Sequence, residues 1–282
     1  MFRRLFIPLI TAATAAASVG FLMARSAFRR WGIDPADATK VLPGDDLVPM
    51  AEAIDTRTIE IDAPPAKVWP WLVQMGFGRG GWYSYDQLDM THPSLDHIDP
   101  ELQTLAVGDI VATYPGGGFE VKVFDPDRAL VLYADRASMV ARADAAAAAA
   151  LAEPATPRTS TTETSTADEM PANLKATGAA FDVAVPGDFS ASWAFVLEPT
   201  TDERTRLIER FRAAIEPAEG QKPVPPVAKT MLGFGVFVMT RRQMLGIKDR
   251  AEGKPESGVL AGAMRRRTQR PPSGFGRSAA AS

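Results

Sequence analysis

A chain with two histidines and no cysteine has few side chains from which to build a reactive centre. Disulfides, thiolate metal sites and a cysteine nucleophile are excluded. His92 and His97 stand five apart, Pro93 interrupts them, and Asp96 and Asp99 flank His97. Two histidines ligating from one helical face are four apart, so this segment reads as a polar surface loop and no metal is expected. A serine–histidine–aspartate triad would need Ser84 or another serine beside one of these histidines, and no nucleophile-elbow glycine pattern is present. The triple glycine at 116–118 lacks the Gly-Lys-Ser/Thr ending and the following helix of a phosphate loop, so it reads as a hairpin turn. Carboxylates remain. Asp86 adjoins Trp82, Tyr83 and Tyr85, and rings around a carboxyl can raise its pKa and suit it to proton transfer. It is a weak catalytic candidate, and its ordinary role is a helix cap or an arginine's partner.

The elements that position these residues begin with a strand. Ile59 and Ile61 alternate with Glu60 and Asp62. Asp62 can cap the next helix, whose first turn Pro64 and Pro65 suit. That helix carries Val68, Trp69, Trp71, Leu72 and Met75, with an awkward interior Pro70, and Gly76, Gly78, Gly80 and Gly81 end it. Arg79, in this glycine-rich loop, is expected at the surface. A second short helix begins near Tyr85. Three of the five tryptophans and two of the four tyrosines lie between Trp69 and Tyr85, more aromatic surface than docking one short helix requires. A meander of three strands is expected at 110–114, 119–124 and 129–134. Two more strands are expected at 190–199 and 205–213, the latter alternating Leu207, Glu209, Phe211 and Ala213 with Ile208, Arg210 and Arg212. A long helix follows at 227–251, whose predicted apolar stripe joins Met231, Phe234, Phe237, Val238, Met244 and Leu245. Arg241 falls inside that stripe. A buried arginine needs a partner, here Asp86, Glu120, Glu209 or an acidic ligand group.

The string VWPWLVQMG at 68–76, followed by GWYSYD at 81–86, resembles the SRPBCC proteins, the Bet v 1/START-like helix-grip superfamily. It is most similar to an actinobacterial branch usually described as polyketide cyclase/dehydrase and lipid-transport-like. LPGDDLVP at 42–49, LQTLAVGDIV at 102–111, WAFVLEP at 193–199 and VFVMTRRQMLGIKDRAEG at 236–253 extend the resemblance, in order, over about half the chain. It implies an α+β helix-grip domain: a curved antiparallel sheet of about six or seven strands around the C-terminal helix, with a cavity between them. Trp69, Trp82, Tyr83, Tyr85, Phe234, Val238 and Arg241 are then the expected ligand-binding residues, because aromatics with polar tips suit an apolar pocket with few orienting hydrogen bonds. The implied function is binding or transport of a hydrophobic small molecule, a lipid or polyketide-like compound, without catalysis or cofactor. One alternative is a cyclase/dehydrase-type enzyme in which Asp86, Tyr83 or Tyr85 moves a proton. The other is a membrane-tethered interaction module.

Around this domain, expected at 54–253, lie segments of other character. Residues 5–24 carry no charge, with Arg3 and Arg4 before them and Arg25, Arg29 and Arg30 after. That length can span a bilayer. A cleaved signal peptide ending near 15–17 is the competing reading, but Phe21, Leu22 and Met23 continue the apolar run and favour an uncleaved anchor over 1–30. The positive flanks lean towards a single-pass protein with a cytoplasmic domain. Residues 31–53 read as a polar linker. Within 137–189 an alanine-rich run passes into a Thr/Ser/Pro-rich stretch with too little apolar bulk to fold, an insertion between two neighbouring strands. Residues 254–282 read as a disordered basic tail that can meet anionic lipid. The formal net charge of -3 gives no case for nucleic acid. A monomer is expected.

Overall fold

The computed structural model describes residues 28–89, 93–114, 117–142, 187–200, 202–217, 220 and 225–254. The architecture is α+β. Six strands, β1 (Ala53–Ile61), β2 (Ile110–Tyr114), β3 (Gly117–Asp125), β4 (Ala129–Asp135), β5 (Asp188–Pro199) and β6 (Thr205–Glu216), form one antiparallel sheet in the order β1-β6-β5-β4-β3-β2. Two short helices, α1 (Pro65–Val73) and α2 (Asp86–Asp89), follow β1, and the long helix α3 (Pro226–Ala251) follows β6. Alternation along the strands separates two faces. One face supplies Ile61, Leu207, Phe195 and Leu132 to a core shared with Val68 and Leu72 of α1 and with Met244 and Ile247 of α3.

The other face carries a smaller cluster, Ala129, Val196 and Ile208 with Leu42 from the segment before β1. That segment, read above as a linker, is a strap across the sheet. Arg210 of β6 donates through Nε to Thr56 Oγ1, through Nη1 to Lys40 O (2.7 Å) and Asp45 Oδ2 (2.6 Å), and through Nη2 to Asp37 O. Arg212 donates to Val48 O, and Arg206 pairs with Asp37. Gly44 lies so close to β4 that an added Cβ would stand 2.4 Å from Val131 Cγ1. Charge-assisted bonds to carbonyls and carboxylates hold this segment more than apolar side chains do. No hydrophobic period advertises it, which is why it reads as a linker in the sequence.

Both sheet edges are occupied. Thr58 N–H of β1 donates to Trp31 O (3.0 Å), and Arg29 Nη2 donates to Ile54 O. At the opposite edge Phe77 N–H donates to Ala112 O of β2 (2.8 Å). Unpaired edges invite pairing with other chains, and these contacts cover part of each edge.

Asp62 does not cap α1. The position before the helix is Pro64, with no side-chain cap bond. Asp62 instead donates its N–H to Glu252 Oε1 (2.7 Å), just after α3. Lys248 and Lys254 also bond Glu252. Burial pushes its carboxyl up, but the bonds from Lys248, Lys254 and the Asp62 N–H outweigh it and hold the pKa down to about 2.

β4 and β5 pair directly as far as Asp135 opposite Ser190, so the insertion leaves and returns between neighbouring strands. A short helical segment occupies 136–142. The alanine-rich and Thr/Ser/Pro-rich stretch over 143–186, the proposed span at 5–24 and the tail at 255–282 lie outside the described residues. Among the described residues no helix is long and apolar enough to cross a membrane.

Two outcomes follow from these contacts. Arg210→Ala should lose about 3 kcal/mol in urea unfolding, because Asp45 and two strap carbonyls lose a buried partner, and protease should then cut within 33–50. Unchanged stability would show that the strap is not held by Arg210. Glu252 has a depressed folded pKa, so its contribution is present above its ordinary 4.5 and fades as pH falls towards about 2. Wild type should therefore exceed Glu252→Gln in melting temperature at neutral pH, and the gap should close on acidification.

Candidate functional site between the sheet and the C-terminal helix

The structure brings three of the expected binding residues into one core. Trp69 meets the ring of Phe124 edge-on at 5.1 Å. Trp82 stacks on Trp193 of β5, with centroids 5.5 Å apart and planes within 18°. Tyr83 is fully buried, with its backbone at φ 57 in the left-handed region. Its carbonyl abuts α3 so closely that a Cβ on Gly246 would come within 2.2 Å of it. Trp71 lies edge-on to the Tyr83 ring, Arg250 covers it at 4.7 Å, and the hydroxyl donates to Trp71 O. Burial pushes the phenol pKa well above its usual value, so Tyr83 keeps its proton at neutral pH. Tyr85 is only partly buried.

Polar anchors hold this cluster in place. Gln74 is fully buried at the end of α1. Its Nε2 donates to His97 O, its Oε1 accepts from Asp99 N–H and Gln103 Nε2, and its carbonyl accepts from Gly80 N–H. The loop bearing His97 is thereby fixed to the helix. The His97 ring is exposed and its one contact described is with Asp96, and His92 lies outside the described residues. Asp86 Oδ1 accepts from both the N–H and the hydroxyl of Ser94, a loop clamp. Ser84 donates to Met239 O. Arg79, expected at the surface, is partly buried and donates to Val73 O and Leu102 O. Burial lowers its pKa, against the pull of Asp109.

The remaining expected residues lie elsewhere. Phe234 is 49% exposed and leans on Phe28 and Phe237. Arg241 is exposed, 5.1 Å above the ring of Trp31. Val238 is partly buried. The predicted stripe on α3 is therefore rotated. Thr240, Gln243, Met244, Ile247 and Ala251, spaced three and four apart, are the buried run. Polar Thr240 and Gln243 disguised it, and the first half of α3 packs on Phe28 and Trp31 as well.

The arginine buried on the inner face of the sheet is Arg57, not Arg241. Arg57 is 0% exposed. Its Nη1 donates to Glu209 Oε2 (2.9 Å), its Nη2 to Asp55 Oδ2 (3.1 Å) and its Nε to Phe28 O (3.2 Å), and Phe237 lies 5.9 Å from the guanidinium. Trp193 Nε1 donates to Glu209 Oε1 (2.8 Å), and Arg29 completes Asp55. Burial pushes the Glu209 carboxyl up, while the Arg57 charge and the bonds from Arg57 and Trp193 pull it down. The sequence did carry a signal. Extending the Ile59/Ile61 alternation backwards puts Arg57 and Asp55 on the inner face, and Glu209 stands on the inner face of the last strand. The site therefore has a packed aromatic cluster, a self-neutralised ionic centre and no activated nucleophile among the groups described. Among the described residues no three His, Cys, Asp or Glu side chains gather as metal ligands.

No family model and no curated protein matches the chain. Among solved structures, protein MLL2253 from Mesorhizobium loti is similar at 15% identity and TM-score 0.32, over 71% of this chain and 98% of that one. A conserved protein from Geobacillus kaustophilus is similar at 14% identity and TM-score 0.30, over 71% and 96%. Likenesses this low carry no functional argument.

Glu209→Leu should cost about 3–5 kcal/mol in denaturant unfolding, because it leaves Arg57 short of a buried partner. Arg57→Met with Glu209→Leu should cost less than the sum of the two single changes. Additive losses would show that the pair is not coupled.

Proposed function

We propose that the chain binds a hydrophobic small molecule, a lipid or polyketide-like compound, between the sheet and α3, as a helix-grip domain would. The observation that carries the reading is the Trp82–Trp193 stack. It joins the loop after α1 to the middle of the sheet, and Phe119 and Phe211 stand edge-on to Trp193. Aromatic rings clustered in this way suit apolar, ring-bearing or extended ligands that part or extend the stack. The order of elements gives further support: one strand, two short helices, five antiparallel strands and a long helix match what the family resemblance implies. Catalysis has less to draw on, since Asp86 is engaged by Ser94 and the Tyr83 hydroxyl is buried and bonded. In this reading the uncharged run 5–24 anchors the protein in a membrane, the domain, which Phe28 and Arg29 already join, faces the cytoplasm, the basic tail touches anionic headgroups, and the protein works as a monomer beside its ligand supply.

Native mass spectrometry of the full-length protein should find a co-purified apolar molecule. Trp82→Ala, which removes half of the stack, should lower its occupancy up to about tenfold, the size of an aromatic pair contribution. Absence of any bound molecule from both proteins would sink the reading.

A further inference from the structure

Gln243 sits in the buried run of α3, one turn after Thr240 and one turn before Ile247, and is 2% exposed. Its Nε2 faces the thioether of Met75 at 3.1 Å. Sulfur is a weak acceptor. Its Oε1 has no hydrogen-bond partner among the described residues. Turning the amide over does not help, because it sets oxygen against sulfur and leaves the N–H donors at the orphaned position. A buried amide oxygen is ordinarily bonded, so one without a partner calls for an explanation.

The ionic centre and the buried phenol of this interior are engaged, whereas Arg79 Nε, on the loop after α1, has no hydrogen-bond partner among the described residues. Arg57 uses Nε, Nη1 and Nη2 on Phe28 O, Glu209 and Asp55. Both oxygens of Glu209 accept, one from Arg57 and one from Trp193. The Tyr83 hydroxyl donates to Trp71 O. An incoming anion would find no spare charge on Arg57, and Glu209 and the Gln243 oxygen would repel it. A hydroxyl or N–H donor would instead satisfy the one acceptor in this set that lacks a partner.

We infer that Gln243 is the orienting contact of the proposed pocket, and that the ligand is an uncharged apolar molecule with a hydroxyl or N–H donor rather than a fatty carboxylate. The inference rests on the binding reading above and narrows its ligand class. A buried hydrogen bond to the ligand is lost when Gln243 becomes methionine, while chain length and apolar bulk are kept.

The test is a tryptophan-fluorescence titration of the full chain with 1-decanol and with decanoate at about pH 8, where the acid is ionised. Decanol should bind wild type about tenfold more tightly than decanoate, and Gln243→Met should remove that advantage at an unchanged or higher melting temperature. The comparison on wild type needs no variant, so it stands even if the variant folds poorly. Decanoate binding as tightly as decanol would overturn the inference. So would an undiminished decanol affinity in Gln243→Met, which would give the amide oxygen to an ordered water. If neither probe binds while mass spectrometry finds a co-purified apolar molecule, the ligand class is wrong and the binding reading stands. If neither experiment finds a ligand, both fall.

Discussion

A guanidinium with no exposed surface constrains everything around it. Arg57 lies on the inner face of β1, directly opposite Glu209 of β6. Removing a charge from water is costly unless it is paired and hydrogen-bonded throughout. Three partners from three parts of the chain meet that need: the carbonyl of Phe28, a carboxylate from the same strand, and one from the last strand. The register of β1 on β6 depends on this. A slip of one residue would set Arg57 opposite Ile208 or Arg210 and turn the apolar faces over as well. Ion pair and alternation therefore specify the same alignment. The ion pair also draws the start of the described chain onto the sheet, and with it Trp31, which covers the β1 edge.

The aromatic cluster is positioned by polar contacts in turn. Trp82 and Tyr83 lie on a loop whose turns require positive φ at Gly76, Gly78, Gly81 and Tyr83 itself. Such a loop has little stiffness of its own. Gln74 ties its flanks to the segment 97–103, Ser94 links it to Asp86, and the Tyr83 carbonyl fits against Gly246, where any side chain would collide. Two hydrogen-bonded anchors and one close fit thus keep two large rings at fixed depth between sheet and helix.

Much of this was legible in the sequence. Strand alternation, the glycine turns and the long C-terminal helix identified α+β architecture, and the aromatic-rich stretch led to Trp69, Trp82 and Tyr83. Three features were hidden, each for a physical reason. The strap over 33–48 is held by arginines gripping its carbonyls, an interaction without periodicity. The sheet-facing side of α3 includes Thr240 and Gln243, so a stripe drawn from apolar residues alone is turned towards Phe234 and Val238. Arg57 is not marked out by its neighbours, because its partner is 152 residues away in sequence. Charge pairs across a sheet become visible only once register is known. Composition and local spacing cannot supply that.

The path of the chain around β1 has a mechanical consequence. Phe28 and Trp31 lie on the α3 side of the sheet, and within about a dozen residues the strap has crossed to the opposite face. The segment is thus looped over the edge of the sheet like a rope round a post. Tension applied at the N-terminus would fall first on Arg29, Phe28 and the guanidinium of Arg57, and reach the hydrogen bonds of β1 only after that grip failed. A domain pulled from that end would be protected from unzipping at its edge strand, and the load would enter where the fold is most tightly bonded.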